Sequence, residues 1–396
     1  MKSLNTKIIY FISGLFMLLP AVVSCSDKND EPTPEPPVKT VGRTVIVYML
    51  ADNSLGSLVS PYDYDMQDIN EMLMAAGKGD ITEGRLLVYH SSRNGKTVLK
   101  EICADKNRYT HIDTLKIYDD EEIYSQHATR MREVFADMKE LAPADDYGLI
   151  LWGHGSGWLQ DGISQESSSK KRAYGEEHGR WMNITTLADV LEDENFSFLY
   201  MDCCYMSSVE VAYQLRNAVP YIVAYPIEVL AYGMPYDKNI KHFFKSVPDL
   251  TAAARETFDF YDQMTNPRYR FCSVSVINTA GLERLAAATK AIYERADVGI
   301  PDGYTPQKYM TGSTCYYYDF GGYINALCND KTLKDEFDAA LAETIVYEST
   351  TDRLWNTIDL KEHSGLSTYI IKSDADYTLK NYNQLAWFDD VASILL

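Results

Sequence analysis

Unbroken apolar runs, rather than alternating ones, mark the strand-like segments of this chain. Residues 43–50 (RTVIVYML), 84–90 (GRLLVYH), 147–152 (YGLILW) and 196–201 keep no regular polar face. Such runs predict strands buried on both sides. Shorter runs at 221–224 and 271–277 predict two more strands. Helical spacing predicts helices at 65–76, 128–141, 186–191, 209–217, 236–246, 250–264 and 279–296. Asn94-Gly95 marks a tight hairpin turn into a strand at 97–102. Buried strands that alternate with helices predict an α/β protein, a mostly parallel sheet between two helical layers. Beyond residue 300 the pattern is less regular. It predicts helices at 321–328 and 332–342, a glycine turn entering a strand at 364–371, and a closing helix from 382 to 388. Residues 42–300 therefore read as the core and 301–396 as a subdomain packed on it.

The first 41 residues do not belong to that fold. Lys2 and Lys7 precede an apolar stretch at 8–19 that is too short for a comfortable membrane span. Ala21-Val-Val-Ser-Cys25 follows. This leader resembles a bacterial lipoprotein signal, which implies removal of residues 1–24 and lipidation of Cys25. A simple secretory signal cut near Ser24 is the alternative. Residues 25–41 form an acidic, proline-rich tether that cannot collapse. It resembles the tethers of Bacteroidetes surface lipoproteins, and so implies export and a lipid anchor at the outer membrane or cell surface.

A formal charge of −20 argues against nucleic acid as a partner. Seven cysteines show no compact disulfide framework and no CxxC pair, so few or no disulfides are expected.

Two short segments carry the candidate chemistry. His154 stands among Gly153, Gly155 and Gly157, just past the strand ending at Trp152. Ligands of open α/β sheets bind beyond the carboxyl ends of strands. A glycine-rich turn with a locally bonded histidine is an equal reading of this segment alone. Cys204 likewise follows the strand at 196–201. Ser207-Ser-Val-Glu210 fits a capping box with Ser207 as N-cap, which places a helix start a few residues beyond the thiol. A helix N-terminus favours thiolate, and His154 is then its base or ion-pair partner. Against this, Cys203 and Cys204 are also what two small buried packing residues look like.

With these segments, residues 47–55 (VYMLADNSL), 201–215 (MDCCYMSSVEVAYQL), 221–237 (YIVAYPIEVLAYGMPYD) and, more weakly, 364–369 (SGLSTY) resemble the clostripain family of cysteine peptidases. The resemblance implies a caspase-like three-layer α/β/α fold and an endopeptidase acting on protein or peptide substrates. It implies His154 and Cys204 as the catalytic pair, with Cys204 rather than Cys203 as nucleophile. It also implies the backbone amides of Gly155 and Cys204 as the oxyanion site, with no third catalytic member. Asp202 falls on the family's acidic residue, associated with Arg or Lys at P1. A buried carboxylate suits a guanidinium, and it equally suits local backbone amides. Tyr232 stands where the family often has an acid, and Glu228 is a possible substitute without a place.

Residues 159–180 form a long polar stretch containing Lys170, Lys171 and Arg172. Since the family cuts itself between its histidine and cysteine, these three are the expected processing sites, unless the stretch is only a solvated loop. The seven histidines show no HExxH or paired-ligand spacing, so no metal site is expected. The resemblance requires no cofactor and leaves calcium as an optional one. Two other classes remain open. One is a catalytically silent surface lipoprotein that keeps the fold and binds peptides or glycans. The other is a thiol redox protein, which lacks a resolving CxxC.

Overall fold

Val41–Ala51 forms the central strand β1, and every residue from Val45 to Ala51 is fully buried. Each such aliphatic side chain contributes about 1.5–3 kcal/mol by leaving water. A computed structural model describes residues 39–56, 62–93, 95–119, 123–159, 173–296, 299–312, 314–373 and 376–396. Cys25 with its tether, and Lys170, Lys171 and Arg172, lie outside the described residues.

After β1 come α1 (Tyr64–Lys78), β2 (Gly84–Ser92), β3 (Thr97–Ala104), β4 (Thr110–Tyr118), α2 (Ala128–Leu141) and β5 (Ala144–Trp152). A hairpin of β6 (Tyr174–Glu177) and β7 (Arg180–Met182) precedes α3 (Ile184–Leu191), β8 (Phe198–Asp202), α4 (Val209–Gln214) and β9 (Tyr221–Ala224). Then follow α5 (Tyr236–Phe243), α6 (Leu250–Asp262), β10 (Ser273–Asn278) and α7 (Leu282–Tyr293). The remainder has β11 (Tyr318–Asp319), α8 (Phe320–Leu327), α9 (Lys331–Thr344) and β12 (Ile345–Thr350), then short strands at Arg353–Leu354, Ile358–Asp359 and Ser367–Thr368 and short helices at Leu379–Tyr382 and Ala386–Asp390.

The main sheet has the order β12-β10-β9-β8-β5-β1-β2-β3-β4. Its five central strands, β9 to β2, run parallel, and the flanking pairs are antiparallel. Side chains of α1, α5 and α6 pack on one face. Those of α2, α3, α4 and α7 pack on the other. This is the expected three-layer α/β/α arrangement.

Two strands had no sequence signal strong enough to find. In β4, residues 110–114 are all exposed, so no apolar run betrays the strand. β12 is only half-buried along its length. It adds the last third of the chain to the central sheet beside β10. Ile370, Leu385 and Trp387 share one core cluster with α2 and α3. The strand expected at 364–371 is reduced to Ser367–Thr368, paired with β11. Among the described residues no helix is long and apolar enough to cross a membrane. All six described cysteines are free thiols.

Candidate active site

Parallel register sets the site. Trp152 at the end of β5 pairs with Asp202 at the end of β8. His154 and Cys204 therefore each leave the sheet two residues past one common level. Both line a cleft of about 360 Å3, together with Leu55, Asp202, Glu228, Val229 and Trp355.

Glycine at 155 is needed for this approach. A Cβ there would lie 2.7 Å from the Cys204 carbonyl oxygen, 2.7 Å from the Cys203 Cβ and 3.1 Å from the Cys204 nitrogen. Only a bare backbone lets the two loops close to that distance. The main chains of Gly155 and Cys204 thus lie side by side. Tyr205 follows the cysteine with φ of 62°. This left-handed turn is held by stacking on Tyr317 and by the bond from its amide to the Ile227 carbonyl at 3.0 Å.

The helix after the cysteine differs from expectation. Ser208, not Ser207, is the N-cap of α4, its hydroxyl accepting from the Val211 amide. Glu210 is then at N2, and its Oε1 accepts from the Thr368 hydroxyl, the Tyr369 amide and the Tyr382 hydroxyl. Ser207 donates instead to the Gly365 carbonyl at 2.7 Å. With α4 starting at Val209 and only six residues long, its dipole does not govern the thiol. Burial does. It pushes the Cys204 thiol up to about 12, and the nearby Glu228 and Asp202 carboxylates add to the rise. The half-buried thiol also meets the Val229 backbone, whose amide donates to Sγ at 3.3 Å and whose carbonyl lies 3.6 Å from it.

His154 is lowered from its ordinary value by burial, partly opposed by Glu176. The imidazole is therefore neutral at neutral pH, and so is the thiol. Its Nε2 lies 2.9 Å from the Ser54 hydroxyl. Ser54 sits in the turn after β1, and Asn53 builds that turn. The Asn53 carboxamide donates to the Leu50 and Glu176 carbonyls and accepts from the Leu55 amide. Residues 47–55 thus position the histidine, a role that their spacing did not show. Ser54→Ala is expected to lower kcat about tenfold with KM unchanged, the loss of roughly one hydrogen bond. The acidic limb of the rate–pH profile moves with it, and Ser54→Thr restores both. An unchanged profile would make Ser54 a surface residue only.

Asp202 is 5% exposed. Its Oδ2 accepts from the Met234 amide at 3.0 Å and the Tyr236 hydroxyl at 3.3 Å. Its Oδ1 is buried with no partner among the described residues. Gly233, with φ of 59°, passes so close that a Cβ would lie 2.6 Å from Oδ2. Burial raises Asp202 to about 6. Two further carboxylates lie behind it on α1. Asp68 accepts from the Trp152 indole at 2.6 Å and is held well above its ordinary value by burial and by Asp202. Glu71 accepts from the Tyr236 amide and is raised to about 6, chiefly by burial. Asp65, Asp68 and Glu71 recur every three residues, an acidic stripe where an amphipathic helix should be apolar. That stripe was a signal available in the sequence.

Glu228 now has a place: it lines the cleft and accepts from the Trp355 indole. Tyr232 is 42% exposed and packs edge-on against Tyr64. Calcium takes six to eight oxygen ligands. Among the described residues the one cluster of three possible metal ligands is Cys103, His111 and Asp113, and its thiol and imidazole do not suit calcium.

A parallel sheet with a thiol and an imidazole at adjacent strand ends defines a cysteine peptidase of caspase-like fold. The clostripain family model matches residues 47–388. The chain belongs to the clostripain family and is a cysteine-type peptidase, a hydrolase. It is 25% identical to an inactive zymogen C11 protease from Parabacteroides distasonis, with a TM-score of 0.77, covering 89% of this chain and 99% of that one. It is 26% identical to a secreted C11 cysteine protease from Bacteroides thetaiotaomicron, solved in complex with an irreversible peptide inhibitor. There the TM-score is 0.75, with coverage of 88% and 99%. No curated protein sequence matches the chain.

Proposed function

We propose that the chain is an endopeptidase that cleaves after Arg or Lys through Cys204 and His154. The observation that carries this reading is the floor of the cleft. Asp202 lines the cleft with Cys204 and carries a buried oxygen with no partner among the described residues, and its charge reaches Asp68 and Glu71. Asp202 raises the proton affinity of Asp68 and Glu71, and a cationic P1 side chain offsets that negative charge.

In the reaction, Sγ of Cys204 attacks the peptide carbonyl carbon while His154 takes the thiol proton. The oxyanion is met by the amides of Gly155 and Cys204. His154 then protonates the leaving amine, and the C–N bond breaks to give a thioester. Water attacks the thioester, His154 takes its proton, and the acid product leaves with the thiol restored. No step needs a cofactor, and calcium has no part in this sequence.

The resting site is latent. The Val229 amide donates to the thiol and Ser54 bonds the imidazole, so both contacts must give way for the pair to react. Processing after Lys170, Lys171 or Arg172 is the proposed release. Export with a lipid anchor at Cys25 fits the leader, and the Bacteroides relative is itself a secreted protease.

A peptide electrophile ending in Lys tests the reading. One equivalent should attach at Cys204, found by mass spectrometry of the tryptic peptide, and an Ala-ended analogue should label at least tenfold more slowly. No attachment, before or after limited cleavage between 160 and 172, would leave a silent peptide- or glycan-binding fold.

A further inference from the structure

We propose that Cys103, His111 and Asp113 form an open site for a borderline-soft divalent cation of the zinc type on the outer edge of the main sheet. The site is independent of the catalytic reading. β3 and β4 are antiparallel, and Cys103 pairs directly with His111. Asp113 lies two residues beyond His111, so all three side chains stand on one face of the hairpin. Their donor atoms all lie within 4.8 Å of one another. Cys103 Sγ and His111 Nε2 are each 3.7 Å from Asp113 Oδ2. Tetrahedral zinc, at about 2.3 Å from sulfur and about 2.0 Å from nitrogen or oxygen, needs ligand separations of about 3.3–3.6 Å. The present spacing requires only small side-chain adjustments.

The donor set selects the ion. Thiolate, imidazole and carboxylate together suit zinc or its transition-metal neighbours and not calcium or magnesium. His111 and Asp113 are about half exposed, so an ion can enter and keep a water in its fourth position. The hairpin is set in advance by its turn, where Asp105 Oδ1 accepts from the Asn107 and Tyr109 amides. The local charge is also suitable. The Asp113 carboxylate beside the thiol supplies negative charge for a cation. Arg85 is the opposing charge, but its guanidinium is already engaged by both oxygens of Glu101.

The site has a structural use. The first five residues of β4 are exposed, so little buried apolar surface holds this edge strand. An ion shared between β3 and β4 would fasten it and blunt an open sheet edge.

The test uses the full chain carrying Cys204→Ala, which removes the other thiol that is not fully buried. After chelator treatment the protein is titrated with Co2+. One equivalent should produce a thiolate-to-cobalt charge-transfer band with tetrahedral d–d absorption, and Zn2+ should displace it. Cys103→Ser should abolish the band. Asp113→Asn should weaken Zn2+ binding at least tenfold in competition with a chromophoric chelator. Hydrogen exchange at 110–118 should slow when Zn2+ is added. A band that survives Cys103→Ser, or no stoichiometric binding by a variant with unchanged circular dichroism, would overturn the proposal.

Discussion

Cys204→Ala is expected to lower kcat/KM on Arg- and Lys-ended reporter peptides by at least about 10,000-fold, the scale seen when a covalent nucleophile is removed. The neighbouring doublet residue gives the control. Cys203 is buried, and its thiol points to the Leu151 carbonyl at 3.2 Å, away from catalysis. Cys203→Ala should stay within about threefold of wild type, since it trades one small buried group for another. The reverse pattern, with Cys203 essential and Cys204 replaceable, would refute the assignment. The same pair of proteins decides the processing proposal. Wild-type protein should yield fragments ending at Lys170, Lys171 or Arg172, whereas Cys204→Ala stays intact. Equal cutting in both would mean that another protease acts on this stretch.

The second large effect concerns specificity. Asp202→Asn keeps an acceptor for Met234 and Tyr236 and removes the charge. Its kcat/KM on Arg or Lys substrates should fall about 100- to 1,000-fold, the cost of losing one member of a desolvated charge pair. Substrates with Ala or Gln at P1 should change less than about threefold. If all substrates suffer alike, Asp202 is a loop support and not a recognition residue. Acidity separates these outcomes further. Asp202 titrates at about 6, so the wild-type preference for basic P1 should grow between pH 5 and 7, while the variant shows no such trend. Stability moves the other way. The folded state keeps a proton on Asp202 that the unfolded chain loses near 3.8, so this contribution is full below that value. It disappears as the pH rises through about 6. Denaturant midpoints at pH 5 and 7, compared with the variant, measure it.

How legible these features were depended on where their physics lies. β1, β2, β5 and β8 are buried on both faces, and burial is written directly into composition, so they were read to within a few residues. β4 escaped because its early residues face solvent, and exposed strands carry no apolar pattern. The placement of His154 and Cys204 at strand ends was readable because adjacent parallel strands end together. The electrostatics were not. A capping box was the visible sign, and it suggested a lowered thiol. Desolvation raises it instead, partly opposed by the Val229 amide, and no spacing rule encodes either. Likewise Ser54 reaches His154 across 100 residues of sequence, through a turn whose only local mark is Asn53.

The ties between the cysteine loop and residues 365–382 affect how the protein is made. Ser207 bonds to Gly365 and Ser367, and Glu210 to Thr368, Tyr369 and Tyr382, across 158 to 172 residues of chain. During synthesis, the support for the Cys204 loop emerges well after Cys204 itself. A partly made chain therefore carries its thiol on an unbraced loop. The Cys204 loop therefore reaches its braced form only with near-complete translation.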